Sequence, residues 1–286
     1  MKEIIFIIGP SRSGSSLLEA RLNSRAGVKA FGELRWFFRR GFINNEICSC
    51  AKKFHDCNYW SQYKRILTPK EAYYCDDLRS YFDRLANLFP LYFKFLRSKK
   101  WQKNWLAYSN YLSNLYTRLS LESEVIVDNS KSPFYFYVLE SCLKGKFRVV
   151  PVLYDRQAAA IVESYSKNKV RKESNDQEMM RKKTATHVIL YLIAIRLIFI
   201  LISKTRESTI KVSYRDICFS EDATIEKILG PNLKLIDSSN YHSVSGNPDR
   251  ISGFHKIKYD EKFARGRFDI LFTICKFIDK ISFFKC

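Results

Sequence analysis

The sequence predicts an α/β fold, a parallel sheet flanked by helices with an inserted helical subdomain, and three observations carry that expectation. Short β-branched or apolar runs recur at residues 4–8, 28–31, 124–127 and 148–154. Helical stretches follow the first and last of them, and strands that alternate with helices belong to open parallel sheets. Between the second and third runs, residues 68–123 are helical in pattern and crowded with aromatics, notably Tyr81, Phe82, Phe89, Tyr92, Phe93, Phe95, Trp101, Trp105 and Tyr111. That stretch predicts a helical insert over residues 61–123 of a single domain spanning 1–286.

The first run, Ile4-Ile5-Phe6-Ile7-Ile8, has the length of a buried parallel strand and is too short for a secretory leader or a membrane span. Gly9-Pro10-Ser11-Arg12-Ser13-Gly14 breaks it, and a helix is expected from Ser15 to Arg25 with Leu17, Leu18 and Leu22 on its apolar side. Residues 28–31 complete a right-handed strand-helix-strand unit, which sets the second strand beside the first. Loop and short helix follow to about Trp60. A helix is expected from Ala158 to about Asn168. Residues 188–202 are nearly all apolar around a central Arg196. Fifteen residues fall short of the ~20 a span needs, and a mid-membrane arginine costs ~2.5–3.5 kcal/mol, so a buried helix behind the sheet is expected. Residues 263–286 read as a C-terminal amphipathic helix with Asp269, Thr273, Lys276 and Lys280 on one polar strip. It caps the core or lies on a bilayer, the core ranking first.

A 46% hydrophobic and 27% charged composition excludes a disordered chain, a collagen-like repeat and a disulfide-stapled miniprotein. Lys and Arg number 49 against 29 Asp and Glu, a net charge of +20 that favours phosphates, sulfates, acidic glycans or an anionic membrane surface. The eight cysteines do not form a secreted disulfide pattern, which points to reduced thiols in a cytoplasmic protein. Cys48, Cys50, His55 and Cys57 offer four soft ligands within ten residues. Their spacing lacks the paired Cys-x-x-Cys of structural zinc sites, so a packed loop of reduced cysteines, without metal, is expected. Aromatics interleaved with Lys and Arg over residues 81–118 rank first as helix core, second as a sugar or lipid surface, and last as a nucleic-acid platform, because no nucleic-acid motif accompanies them.

The glycine loop carries the chemistry. It joins a strand to a helix, so the N–H groups of the first helical turn converge on whatever occupies it, and that is an anion site. The Gly9 to Gly14 spacing is that of a phosphate loop, making the sheet P-loop-like, yet Ser15 stands where a nucleotide triphosphatase needs lysine. A nucleotide kinase is disfavoured on that ground. The cation sits instead inside the loop, at Arg12.

Ser11-Arg12-Ser13-Gly14-Ser15-Ser16-Leu17-Leu18 resembles the 5′-phosphosulfate loop of sulfotransferases that use 3′-phosphoadenosine 5′-phosphosulfate (PAPS). Arg156, at the end of the run 148–154, is followed eight positions later by Ser164, which is similar to the family's 3′-phosphate grip. The family's usual Arg-Asp-Pro-Arg is Arg156-Gln157-Ala158-Ala159, so its second arginine is missing. Val127-Asp128-Asn129-Ser130-Lys131-Ser132-Pro133 and the segment from Tyr241 to Arg250 resemble further elements of the bacterial, tyrosylprotein-sulfotransferase-like branch, as does the segment 212–217. The resemblance spans residues 3 to about 261, apart from the aromatic insert.

The resemblance implies PAPS as co-substrate, held by Ser11, Arg12, Ser13, Gly14, Ser15, Ser16, Arg156, Ser164 and Arg250. It implies Glu33, in the pair Gly32-Glu33, as the base that takes the acceptor's proton, and Arg12 as the cation on the leaving phosphate. Lys131 is either a second cation near the sulfonate or a solvated lysine. The expected reaction is sulfonate transfer to a hydroxyl of a glycan or glycolipid, with no metal, in the cytoplasm or peripherally at a membrane. The alternative is a non-catalytic membrane- or polyanion-binding protein on the same fold.

Overall fold

A computed structural model of the chain describes residues 1–166, 170–171, 177–178, 184–231, 234–236, 241–246, 251, 259 and 270–281. The predicted runs form strands β1 (Glu3–Ile8), β2 (Val28–Ala30), β3 (Val125–Lys131) and β4 (Arg148–Asp155). Val170–Arg171 and Gln177–Glu178 make a two-residue antiparallel ribbon, β5 and β6, and Ile210–Ser213 forms β7. The main sheet is parallel, in the order β2-β3-β1-β4-β7.

One expectation about order fails: β2 pairs with β3, and β3 lies between it and β1. The reason is ladder length. β3 and β4 offer seven and eight residues to the six of β1, whereas β2 offers three. Both edges of β1 are taken by the longer partners, and every residue from Ile4 to Ile8 is buried.

Alternation along β1 divides the core in two. Ile5 and Ile7 pack with Leu17, Leu18 and Leu22 of α1 (Ser15–Asn23) on one face. Ile4, Phe6 and Ile8 face the opposite layer, which the insert shares. The insert comprises α2 (Pro69–Phe82), α3 (Phe89–Tyr92) and α4 (Lys99–Leu119) with short 3₁₀ turns between. A Thr68–Glu71 capping box with Pro69 in the first turn starts α2, and Ser98 caps α4. Its aromatics split. Phe82, Trp101 and Tyr108 are core, while Phe89, Tyr92, Phe93 and Phe95 are exposed.

Among the described residues, further α-helices are α5 (Pro133–Leu143), α6 (Ala158–Ser166), α7 (Ala185–Thr205), α8 (Tyr214–Phe219), α9 (Glu221–Leu229) and α10 (Ile270–Ile281). Helix α7 runs for 21 residues, not the fifteen of its apolar centre, so it is long and apolar enough to cross a membrane. One stripe of it, Val188, Leu192, Ile195, Phe199 and Ile202, is buried, and Leu190, Leu197 and Leu201 are exposed. Helix α10 packs against α6 and α7 through Cys275 and Ile278 and leaves Ile274 and Phe277 exposed. Thr273, Lys276 and Lys280 of the expected polar strip are exposed, and Asp269 lies outside the described residues.

Candidate functional site

The turn after β1 is shaped for close approach. A Cβ on Gly9 would lie 2.4 Å from the Tyr154 carbonyl oxygen, and one on Gly14 would lie 2.6 Å from the Tyr214 ring. Arg12 and Gly14 both take positive φ, 67° and 90°. Glycine adopts that region freely and arginine only under strain, which collects at binding sites.

Helix α1 starts without a side-chain cap and with no acid in its first turn, so its positive end faces the loop. Ser13, Ser15 and Ser16 are all buried there. The hydroxyls of Ser13 and Ser15 and one Nη of Arg12 are buried without a hydrogen-bond partner. Buried unpaired donors are rare, and three at one helix start describe a cradle for an anion. The other guanidinium nitrogen, Nη1, donates to the Ser164 carbonyl at 2.8 Å, and the group lies 4.9 Å over the Tyr165 ring. Neither partner is an anion. Burial pulls the Arg12 pKa below its ordinary value.

Arg12 therefore brings the first predicted phosphate element against the second, at Ser164. Arg156 follows the end of β4 beside β1, and its guanidinium stacks 4.3 Å from the same Tyr214 ring that covers Gly14. Asp155 and a helix behind the sheet fix this turn. Asp155 Oδ1 accepts from the Arg156 N–H at 2.8 Å, and its Oδ2 accepts from Arg196 Nε at 2.9 Å. Arg196 also donates to the Arg156 carbonyl at 3.1 Å and to Asp279 at 2.8 Å, and Asp279 accepts from the first N–H of α6 at 2.9 Å. Burial alone would lower the Arg196 pKa, but the charges of Asp155 and Asp279 outweigh it and raise the value. Gln157, next in the chain, donates to the Tyr259 hydroxyl at 3.1 Å.

Across the same sheet edge, Glu33 follows a turn that only glycine fits. Gly32 has φ 80°, and a Cβ on it would lie 2.3 Å from the Val244 carbonyl oxygen. Residues 241–246 run alongside: the Glu33 N–H donates to the Val244 carbonyl at 2.8 Å, and the Val244 N–H to the Phe31 carbonyl at 2.8 Å. The Glu33 carboxylate takes Lys131 Nζ at 2.5 Å and has Arg40 at 4.0 Å. Lys131 is thus an ion-pair partner of the candidate base, not a solvated side chain. Its carbonyl accepts from the Gly9 N–H at 3.4 Å, which ties this turn to the glycine loop. The Tyr191 hydroxyl accepts from the Ser11 N–H at 3.1 Å. Burial raises the Tyr191 pKa, and the charges of Glu33 and Asp155 add to the rise.

Underneath lies a buried polar layer at the end of β3. Asn129 Nδ2 donates to Glu19 of α1 at 2.7 Å while its N–H donates to the Gly32 carbonyl at 2.8 Å. Ser130 Oγ accepts from the Arg35 N–H at 2.9 Å and donates to Asp128, which also accepts from Tyr116. Burial pushes the Asp128 pKa up to about 7. This layer couples the loop helix to the Glu33 turn.

The structure gathers Ser11, Arg12, Ser13, Gly14, Ser15, Ser16, Arg156, Ser164, Glu33 and Lys131 at the C-terminal edge of the sheet. Arg250 lies outside the described residues. Sequence reasoning missed Tyr191, Tyr214, Arg40 and the partners of Arg196; of these, only the lone arginine in an apolar run gave any signal. His55 does not join the cysteines: its Nε2 pairs with the Phe42 carbonyl at 2.8 Å, and the cysteines gather round His242. No protein-family model matches the chain, and comparison with curated proteins found no match. Fold and site together define an α/β protein with buried unpartnered donors at a helix start and a carboxylate at the same sheet edge.

Proposed function

We propose that the chain is a sulfotransferase that moves a sulfonate group from PAPS to a hydroxyl of a glycan or glycolipid. The observation that carries the reading is the convergence at the start of α1. The unpartnered donors of Arg12, Ser13 and Ser15 meet there, and Arg156 lies one ring away across Tyr214. Two cationic groups flanking one glycine turn suit a donor with a phosphate at each end. In this reading Arg12 and the loop hydroxyls hold the 5′-phosphosulfate, and Arg156 with Ser164 holds the 3′-phosphate. Glu33 accepts the proton of the attacking hydroxyl while Lys131 and Arg40 fix its carboxylate. The acceptor oxygen bonds to sulfur as the bond from sulfur to the 5′-phosphate oxygen breaks, and 3′-phosphoadenosine 5′-phosphate (PAP) leaves with that electron pair. The exposed Phe89, Tyr92, Phe93 and Phe95 offer faces to a sugar ring or a lipid.

Calorimetry with PAP tests the reading: saturable binding at one site is expected, and no binding overturns it. A second reading, a non-catalytic membrane-binding protein, draws on the exposed Leu190, Leu197, Leu201, Ile274 and Phe277 of α7 and α10. Flotation with anionic liposomes in the absence of PAP binding would favour it.

A further inference from the structure

Cys48, Cys50 and Cys57 share one loop, and His242 comes from the far end of the chain. Their four ligating atoms nevertheless lie within 4.8 Å of one another. The Sγ atoms of Cys50 and Cys57 are 3.5 Å apart and those of Cys48 and Cys57 3.8 Å. His242 Nδ1 is 3.2 Å from the Cys57 sulfur and 3.8 Å from that of Cys48. A tetrahedral zinc ion with bonds of ~2.3 Å to sulfur and ~2.0–2.1 Å to nitrogen has S···S edges of about 3.8 Å and S···N edges of about 3.6 Å. The two S···S distances are at or just under the first value, and the two S···N distances fall on either side of the second. We propose that Cys48, Cys50, Cys57 and His242 bind one zinc ion as a closed structural site.

Packed thiols alone do not account for this convergence. A disulfide would use two sulfurs and leave the third, and the imidazole, without a reason to point inward. Ligand chemistry selects the metal: three thiolates and an imidazole suit zinc, and four protein ligands leave no open position for a substrate. Binding releases three thiol protons and leaves a site of net charge −1, held within a strongly basic chain.

The surroundings orient the ligands. The His242 ring stacks on Tyr59 with centroids 5.5 Å apart and planes 13° from parallel. Ser49, between two of the cysteines, donates through Oγ to the Tyr241 carbonyl at 2.6 Å and accepts from the Ser243 N–H at 2.8 Å. It grips the backbone on both sides of the histidine. The cysteine loop is itself pinned, because the Cys48 N–H donates to the Lys52 carbonyl at 2.8 Å and Ile47 bridges Lys53. Such outer partners fix a ligand's direction before metal arrives.

The site has a consequence for the sheet edge, and this part rests on the proposed function. Residues 241–246 carry both His242 and Val244, and Val244 accepts the Glu33 N–H. Ser245 Oγ accepts from Arg40, which faces the Glu33 carboxylate. Zinc therefore staples the segment that sets the Glu33 turn, and its residues act as positioning residues.

The test is the metal content of the full chain, purified in reductant without a metal-affinity step. One zinc per chain by mass spectrometry is expected, retained through dialysis and released by a strong chelator together with three newly reactive thiols. Cobalt(II) added to the stripped chain should give the thiolate charge-transfer and intense visible bands of a tetrahedral site. Cys57→Ser and His242→Ala should each lose most of the zinc. Because either variant could unfold, zinc titration of the stripped parent is the independent readout, with Tm rising until one equivalent is bound. A reduced chain that neither carries nor takes up zinc overturns the proposal. So does a disulfide among these cysteines in that preparation, and iron in the site overturns zinc as its metal. PAP calorimetry on the same samples separates the two readings: zinc without PAP binding removes the sulfotransferase and leaves this site standing, and PAP binding without zinc does the reverse.

Discussion

Replacing Arg196 with methionine should expose how far the turn after β4 depends on a buried charge. Arg196 and Asp155 side chains are both 0% exposed, and their Nε–Oδ2 contact is 2.9 Å. Arg196→Met takes the guanidinium partner of Oδ2 away from the buried Asp155 carboxylate, and the Arg156 carbonyl loses the Arg196 donor. Removing one partner from a buried pair costs about 3–5 kcal/mol, against a total stability of about 5–15 kcal/mol for a typical domain. The variant should lose a fifth or more of its stability. Asp155→Asn takes away the stranded charge and keeps an acceptor for the Arg156 N–H. Combined with Arg196→Met, it should recover part of the loss, with an interaction energy of about 2 kcal/mol. Urea unfolding followed by circular dichroism on the parent, both single variants and the double completes the cycle. If Arg196→Met costs under about 1 kcal/mol, or the two changes simply add, Arg196 is not the lock of this turn.

Three further outcomes follow from the site. Arg156→Ala should raise the Kd for PAP by roughly ten- to a hundredfold, the loss of a charge-assisted bond of ~1.5–3 kcal/mol, and weaken discrimination against a donor without the 3′-phosphate; calorimetry with both nucleotides checks it. Glu33→Gln should slow sulfonate transfer by about 10²–10⁴-fold with PAP affinity unchanged, and unaltered turnover in a radiolabel assay would remove Glu33 as the base. Asp128, with a folded pKa of about 7 against an ordinary 3.8, keeps its proton in the folded state where the unfolded chain has lost it. Stability should therefore fall as pH rises from about 4 to 7, by up to about 4 kcal/mol from this group, and stay level above. Urea midpoints at pH 5 and pH 8 should lie closer together in Asp128→Asn than in the parent; an equal gap in both would contradict the assignment.

Strands β1 to β4 were legible because β-branched runs of four to eight residues bounded by glycine or charge leave few other readings, whereas the four-residue edge strand β7, which ends in Ser213, went unread. The strand order was not legible. Sequence adjacency favoured β1 beside β2, and ladder length overrode it through β3, a strand that comes after the whole insert. The glycine loop was legible as a strand-to-helix turn crowded with hydroxyls because Gly9, Arg12, Gly14 and the serines stand together in the sequence. Tyr214 was invisible in that role, since nothing in its neighbours says that its ring closes over Gly14 on one side and Arg156 on the other. Arg196 announced itself as misplaced in an apolar run, but its partners lie 41 and 83 positions away. The cysteines were read against His55 because it is near in sequence, and the fold supplies His242 from 185 positions beyond Cys57.

The strand order also bears on how the chain is made. Both neighbours of β1 lie more than a hundred residues downstream, at Val125–Lys131 and Arg148–Asp155, and β2 cannot substitute for them. At ribosomal rates of ~5–20 residues per second, the Ile4–Ile8 strand waits roughly 6 to 25 seconds for its first partner. Throughout that interval the apolar segment lacks both of its ladder partners, and an unpaired apolar segment is the kind that nascent-chain chaperones bind and that aggregates when they do not. A ribosome-stalled fragment ending at residue 123 should be protease-sensitive and chaperone-bound, and one that extends past β4 should release. Synthesis, not the finished molecule, is where this topology is most exposed.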